Sequence, residues 1–232
     1  MARHVSSSVR FLAVCYYLLW RLHTGYILHT CVPITDGMRI AELGPGTGLH
    51  GFDISDEQFP RREQCPSNVR FDIMDSFYDV VYLRMWASDF RNKDPGAILH
   101  PVMELLRSGG FIQWEEADLT HQTVVGEKAK EFEAGVNKLF GQVGLAYSLP
   151  HRVTQAGFLL IEFERQQFEN SLMNSCTNTY LLALQEILQG IRQSSSSEEA
   201  RAIMDHEIAL HYLFSAERKR IVYNWSPTTL LG

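Results

Sequence analysis

Arg39-Ile-Ala-Glu-Leu-Gly-Pro-Gly-Thr-Gly48 is followed almost at once by Gly51-Phe-Asp-Ile54, and the reading of these two stretches decides the fold. Met38–Leu43 reads as a strand that leads into Gly44, Gly46 and Gly48. In a nucleotide pocket, glycines after a first strand let the backbone approach the ligand, and an acid closing the next strand binds ribose hydroxyls. Gly44, Gly46, Gly48 and Asp53 supply those residue types. A glycine triplet alone is equally a tight turn. The residues around it decide between the two.

The chain has 232 residues, 45% hydrophobic and 21% charged, enough apolar material for one substantial core. Twenty-one Lys and Arg against 27 Asp and Glu give a net charge of −6. The basic residues are scattered apart from short clusters such as Arg61-Arg62 and Arg218-Lys-Arg220, which argues against a nucleic-acid surface. Cys15, Cys31, Cys65 and Cys176 form no C-x-x-C pair, and no His stands at zinc-ligand spacing. They read as free thiols of a reducing, cytoplasmic compartment, with no metal expected. Phe11–Trp20 behind Arg3 and Arg10 imitates a signal peptide, yet it is too short to span a bilayer as a helix, which takes ~20 apolar residues. The expectation is a buried amphipathic helix and no stable membrane span.

Along the chain, residues 8–30 read as helical before Pro33, and Asn68–Ile73 and Tyr78–Leu83 as strands. Asp94–Leu106 has helical periodicity, opened by Asp94-Pro95 and stopped by Ser108-Gly-Gly110; Phe111–Glu115 follows as a strand. Glu127–Phe140 reads as a helix and Gly157–Arg165 as a strand, giving consecutive βαβ-type units. Ser171–Gln193 and Glu198–Ala216 are helical around a polar break at Ser194–Ser197, and Lys219–Trp225 is the last strand. The pattern predicts a single α/β domain: an N-terminal helical segment over 1–36, a Rossmann-like core over 37–170, a helical insertion or lid over 171–216, and a last strand and tail over 217–232.

Several further blocks appear in order: Gly51-Phe-Asp-Ile-Ser55 with Gln58-Phe-Pro60, Pro66–Phe71, Tyr78-Asp-Val-Val81, Asp94-Pro95 and Gly109-Gly-Phe-Ile-Gln-Trp-Glu-Glu116. With the glycine loop, they make the sequence resemble the S-adenosylmethionine-dependent class I methyltransferases of fungal secondary metabolism, strongly over 39–118 and weakly afterwards. The resemblance implies a Rossmann-like class I methyltransferase sheet with helices on both faces. It also implies S-adenosyl-L-methionine as cofactor and methylation of a small-molecule natural product. Carried over by position, it places Glu42, Gly44, Gly46 and Gly48 around the amino-acid part of the cofactor, Asp53 on the ribose and Asp75 near the adenine amino group. Arg84 or Met85 falls near the methyl-donor side. Asp75 reads as well as a turn residue.

Methyl transfer is an in-line displacement, so the protein mainly aligns donor and nucleophile and excludes water. A hydroxyl acceptor gains from a base; His121, His206 and His211, with His151, are the titratable candidates, though no partner is identifiable for any of them. Glu115 and Glu116 close a strand at the carboxyl edge where ligands bind in open α/β sheets. Trp114, Glu115 and Tyr180 are candidates for the acceptor wall, with core packing the simpler account for the two rings.

The spacing departs from the family. Only four residues separate Gly48 from Asp53, whereas the fingerprint acid lies ~20 residues beyond its glycines. Four or five extended residues reach ~17 Å, and parallel neighbours take a crossover of roughly a dozen. The first crossover helix is therefore expected to be missing, and the first strand and Phe52-Asp53 are not expected to be ordinary parallel partners. Four residues likewise join Ile73 to Tyr78. An N-terminal helix that buries Phe11, Leu18 and Trp20 is the expected replacement cover. The same features leave open a methyltransferase-like protein that does not methylate, either a cofactor-assisted cyclase or a partner-binding scaffold.

Overall fold

A computed structural model describes residues 18–43, 51–52, 78–86, 96–127, 129–131, 133–134, 145–194 and 222–232. Six strands form one mixed sheet: β1 (Ile40–Leu43), β2 (Gly51–Phe52), β3 (Tyr78–Arg84), β4 (Leu106–Val125), β5 (Glu162–Arg165) and β6 (Val222–Leu231), in the order β2-β1-β3-β4-β6-β5. The first four are mutually parallel, and β6 runs antiparallel to both β4 and β5. Helix α1 covers residues 18–24; α2 (Gly96–Leu105), α3 (Leu145–Gln155) and α4 (Met173–Ser194) follow. This is a Rossmann-like α/β fold with a reversed strand inserted beside its parallel core.

Residues paired across neighbouring strands share a face, and the period of two sorts the sheet into two surfaces. One carries Ala41, Val81, Leu83, Ile112, Trp114 and Leu230, which form the main core with Leu99 and Val102 of α2 and Leu149 and Val153 of α3. The other carries Ile40, Val80, Phe111 and Leu231 under Leu28, Val32 and Met38 of the N-terminal segment. That second surface becomes polar toward the carboxyl edge, where Glu42, Tyr82, Gln113, Arg84 and Glu115 share a face and are all buried. Burying such groups requires a cover that bonds them. The N-terminal segment bonds one of them: Gln113 Oε1 accepts from His29 N at 2.8 Å and its amide donates to Ile27 O at 3.0 Å.

Trp20 of α1 is 2% exposed and meets Phe168 edge-on at 6.3 Å; Phe168, Tyr180 and Trp225 continue this aromatic cluster to α4 and β6. Of the helix expected over 8–30, residues 18–24 are helical and 25–30 are not, and of the residues expected to be buried Trp20 is, with Leu19 beside it. Leu18 is 49% exposed, a correction to its expected burial, and Phe11 lies outside the described residues.

The short connection after β1 does not prevent parallel pairing, contrary to expectation: Glu42 pairs with Gly51 and Leu43 with Phe52. The reason is the length of β2. With only two paired positions the chain must return about one residue's rise and one strand spacing, well within the reach of the seven residues between Leu43 and Gly51. Consecutive parallel units were expected after β4, but β6 enters antiparallel and runs on through Pro227 to Leu231. β4 extends from Leu106 to Val125 instead of Phe111–Glu115, and β5 holds only the end of Gly157–Arg165. Helix α3 was not foreseen; Pro150 within it masks a pattern whose Leu149 and Val153 are fully buried. Residues 127, 129–131 and 133–134 are helical, as expected for Glu127–Phe140. The expected strand Asn68–Ile73 and helix Glu198–Ala216 lie outside the described residues. Among those described, no helix is long and apolar enough to cross a membrane.

Candidate functional site

β1 has β2 on one side and β3 on the other, so Leu43 ends at a topological switch point, the crevice where open α/β sheets bind ligands. The structure builds this edge firmly. Trp86 Nε1 donates to Leu43 O at 3.0 Å, and Trp86 N donates to Glu116 Oε2 at 2.8 Å, tying the ends of β1, β3 and β4 together. Met85 between them sits at φ 55°, a left-handed conformation uncommon for a non-glycine residue. Its N–H donates to Glu115 O at 3.0 Å, which holds the bend. The chain thus turns sharply at the carboxyl end of β3, beside the start of the glycine loop.

Just inside the edge, Glu115 accepts a hydrogen bond from the Tyr82 hydroxyl, pairs with Arg84 Nε at 3.3 Å, and accepts from Gln113 Nε2 at 3.1 Å. Arg84 also donates to Tyr82 through Nε at 3.0 Å and through Nη2. Burial pushes the Glu115 carboxyl up to about 7, against the pull of Arg84, Tyr82 and Gln113; Glu42 pushes the same way as burial. Burial acts to lower the Arg84 pKa, but Tyr82, Glu115 and Glu42 outweigh it and hold the guanidinium charged. With Glu115 ionised, the two carboxylates and one guanidinium carry a net negative charge, a setting suited to a cationic ligand group. Trp20, Arg21, Tyr26, Ile27, Tyr82, Arg84 and Glu115 pack around a gap beside the cluster that is too narrow to hold a water.

A second polar centre lies three residues further along β4, about 10 Å away by strand rise. Asp118 is 1% exposed and fully engaged: Oδ1 accepts from Thr120 N at 2.9 Å and Thr120 Oγ1 at 2.6 Å, while Oδ2 meets His121 Nδ1 at 2.8 Å and Arg165 Nε at 2.7 Å. Burial would raise the Asp118 pKa, but the Thr120 hydrogen bonds, Arg165 and His121 together bring it below the usual carboxylate value. An ionised Asp118 accepts the Nδ1 proton of His121, which leaves Nε2 as the basic nitrogen. His121 and Arg165 line an open cleft of about 450 Å³ with Gln122, Glu133 and Gln166.

The structure thus brings Glu42, Arg84 and Glu115 together at the switch point and supplies His121 with the partner that sequence could not name. Gly44, Gly46, Gly48, Asp53, Asp75, His206 and His211 lie outside the described residues, and His151 is exposed on α3. Trp114 is fully buried in the main core and donates to Glu116 Oε2 at 3.3 Å; Tyr180 is 1% exposed, its ring 4.8 Å from that of Trp225. Packing occupies both rings, the simpler of the two accounts. Sequence reasoning missed Asp118, Arg165 and Tyr82. Asp118 and His121 are only three residues apart, but a register shift between Asp118 and Gln122 brings them together, and no periodicity announces that.

No family model matches the chain. It is similar to Methyltransferase grgD of a Penicillium species, 26% identical over an alignment of 124 positions that covers 40% of this chain and 43% of that protein. The chain therefore matches less than half the length of this curated relative. Among solved structures, it is similar to a SAM-dependent methyltransferase from Thiobacillus denitrificans in complex with S-adenosyl-L-homocysteine, with TM-score 0.47 and 13% identity over 98% of this chain and 99% of that one. A SAM-dependent methyltransferase from Geobacter sulfurreducens, also in complex with S-adenosyl-L-homocysteine, gives TM-score 0.44 and 11% identity over 92% and 96%. The chain has a Rossmann-like α/β fold and over part of its length is similar in sequence to a fungal methyltransferase.

Proposed function

We propose that this protein is an S-adenosylmethionine-dependent methyltransferase that methylates a small natural product, at a hydroxyl or comparably weak acid. The observation that carries the reading is the switch point itself: β1 ends between β2 and β3 with the glycine loop leaving it and buried Glu42 one residue before its end. The donor set fits the cofactor. A buried carboxylate suits an ammonium, and the Glu42–Arg84–Glu115 cluster tolerates a nearby positive charge. Gly44, Gly46 and Gly48 would surround the amino-acid part, Asp53 the ribose and Asp75 the adenine.

What the cofactor supplies when bound is an electrophilic methyl group on a sulfonium sulfur. The chain's part is positional and protic. Trp86, bonded to Leu43 and Glu116, fixes the edge against which donor and acceptor align. With the methyl donor and a hydroxyl acceptor bound, His121 Nε2 would take the proton that the acceptor oxygen gives up. Asp118 orients the ring and stabilises the imidazolium. Arg165 shares the same Asp118 oxygen. A positioned base contributes ~10²–10⁴-fold in rate.

The test is transfer of a labelled methyl group from S-adenosylmethionine to a panel of small hydroxylated aromatics. His121→Ala should lower kcat about 100-fold or more while leaving cofactor affinity in place. Absence of transfer to any acceptor by a cofactor-binding sample would refute the reaction; unchanged kcat in His121→Ala would refute the base.

A further inference from the structure

The N-terminal segment and the edge strand bring three side chains together that the proposed reaction does not use. His29, Cys31 and Glu162 each offer a ligand atom, all within 4.8 Å of one another. His29 Nε2 stands 3.4 Å from Glu162 Oε2, and Cys31 Sγ stands 3.8 Å from the same oxygen. From bond lengths of ~2.0–2.1 Å to nitrogen and oxygen and ~2.3 Å to sulfur, tetrahedral coordination needs N···O of about 3.3 Å and S···O of about 3.5 Å. The observed separations nearly meet those values.

The histidine is held in place from outside the cluster. His29 is 5% exposed, its N–H is bonded to buried Gln113, and the Tyr26 ring meets it edge-on at 5.2 Å. Cys31 is exposed and Glu162 half-exposed, which gives an ion a route in from solvent.

We infer that His29, Cys31 and Glu162 form a binding site for a zinc-class divalent cation, with an outer position left for water. The mixed nitrogen, sulfur and oxygen donor set suits borderline-soft Zn²⁺ and disfavours Mg²⁺ or Ca²⁺, which take oxygen ligands. Loading exchanges the Cys31 thiol proton for the metal–sulfur bond, and the proton leaves to solvent. Metal on His29 Nε2 also moves the ring proton to Nδ1, which gives up the long 3.3 Å bond from Cys31 N. The Cys31 peptide must turn to release it, a local cost of loading. In return the ion clips the segment that covers Tyr82, Arg84 and Glu115 to the edge of the sheet through β5. The expectation of no metal rested on linear spacing; 131 positions separate Cys31 from Glu162, so spacing could not reveal this site.

The experiment is titration of the full chain, reduced and metal-free, with Co²⁺ followed by absorption, then with Zn²⁺ as competitor. One equivalent of Co²⁺ should produce a thiolate-to-cobalt charge-transfer band, and Zn²⁺ should abolish it. Cys31→Ser should remove the band and Glu162→Gln should weaken Co²⁺ binding at least roughly 10-fold, the lower end of what losing even an outer-shell partner costs. Zn²⁺ should raise the Tm of the wild type and leave that of Cys31→Ser unchanged. Circular dichroism confirms that the variants fold, which the exposure of Cys31 favours. A wild type without the thiolate band, or a band retained in Cys31→Ser, overturns the site, and neither result depends on methyl transfer.

Discussion

Glu115→Gln removes a buried, titratable charge without removing its volume. In the folded chain the Glu115 carboxyl titrates at about 7 against an ordinary 4.5, because burial outweighs the attraction of Arg84. Between those two values the folded state holds a proton that the unfolded chain has released. Stability from this group is therefore fully present below about pH 4.5 and is lost as pH rises through 7. At ~1.36 kcal/mol per pH unit, the gap amounts to about 3 kcal/mol. Urea unfolding of wild type and Glu115→Gln at pH 4.5, 6 and 8 isolates it, since groups common to both cancel in the difference. Relative to Glu115→Gln, the wild type should lose about 3 kcal/mol over that range. A difference that does not vary with pH, or one in which the wild type gains as pH rises, would refute the reasoning and show that Arg84 outweighs burial.

Asp118 has the opposite sign: its folded pKa is depressed, so its stabilisation is present above the ordinary carboxylate value and is lost as pH falls through the folded one. Asp118→Asn should flatten the acid limb of the stability profile measured by urea unfolding, and an unchanged limb would show that the Thr120, His121 and Arg165 contacts contribute nothing. Trp20→Ala should cost ~3–5 kcal/mol by the same assay, because its ring is 2% exposed and packed edge-on against Phe168. A loss below about 1 kcal/mol would mean that the N-terminal cover is dispensable.

The parallel half of the sheet was legible because its strands are continuous apolar runs: Tyr78–Leu83 is buried on both faces, as expected of a parallel strand covered on both sides. The antiparallel end was not. Pro227 argues against a central strand, yet it falls just beyond the last β5 partner, where its carbonyl still accepts from Gln166 N at 3.0 Å and only the reciprocal bond is lost at the end of the ladder. Pro150 hid α3 in the same way. In the site, Glu42, Arg84 and Glu115 were legible as strand-end residues, because register follows the period-two pattern. The contact of Arg84 and Glu115 through Tyr82 was not, since it depends on which face each strand presents. His29, Cys31 and Glu162 lay furthest from reach, joined only by the path of the N-terminal segment across the sheet.

The central claim is that the switch point at the end of β1 binds S-adenosylmethionine. Isothermal titration calorimetry of the folded chain tests it most directly, with Asp53→Ala as the companion variant. The account predicts saturable one-to-one binding that Asp53→Ala weakens. No detectable heat from a well-folded sample would contradict the cofactor assignment and with it the methyltransferase reading, and binding undiminished in Asp53→Ala would contradict the ribose role.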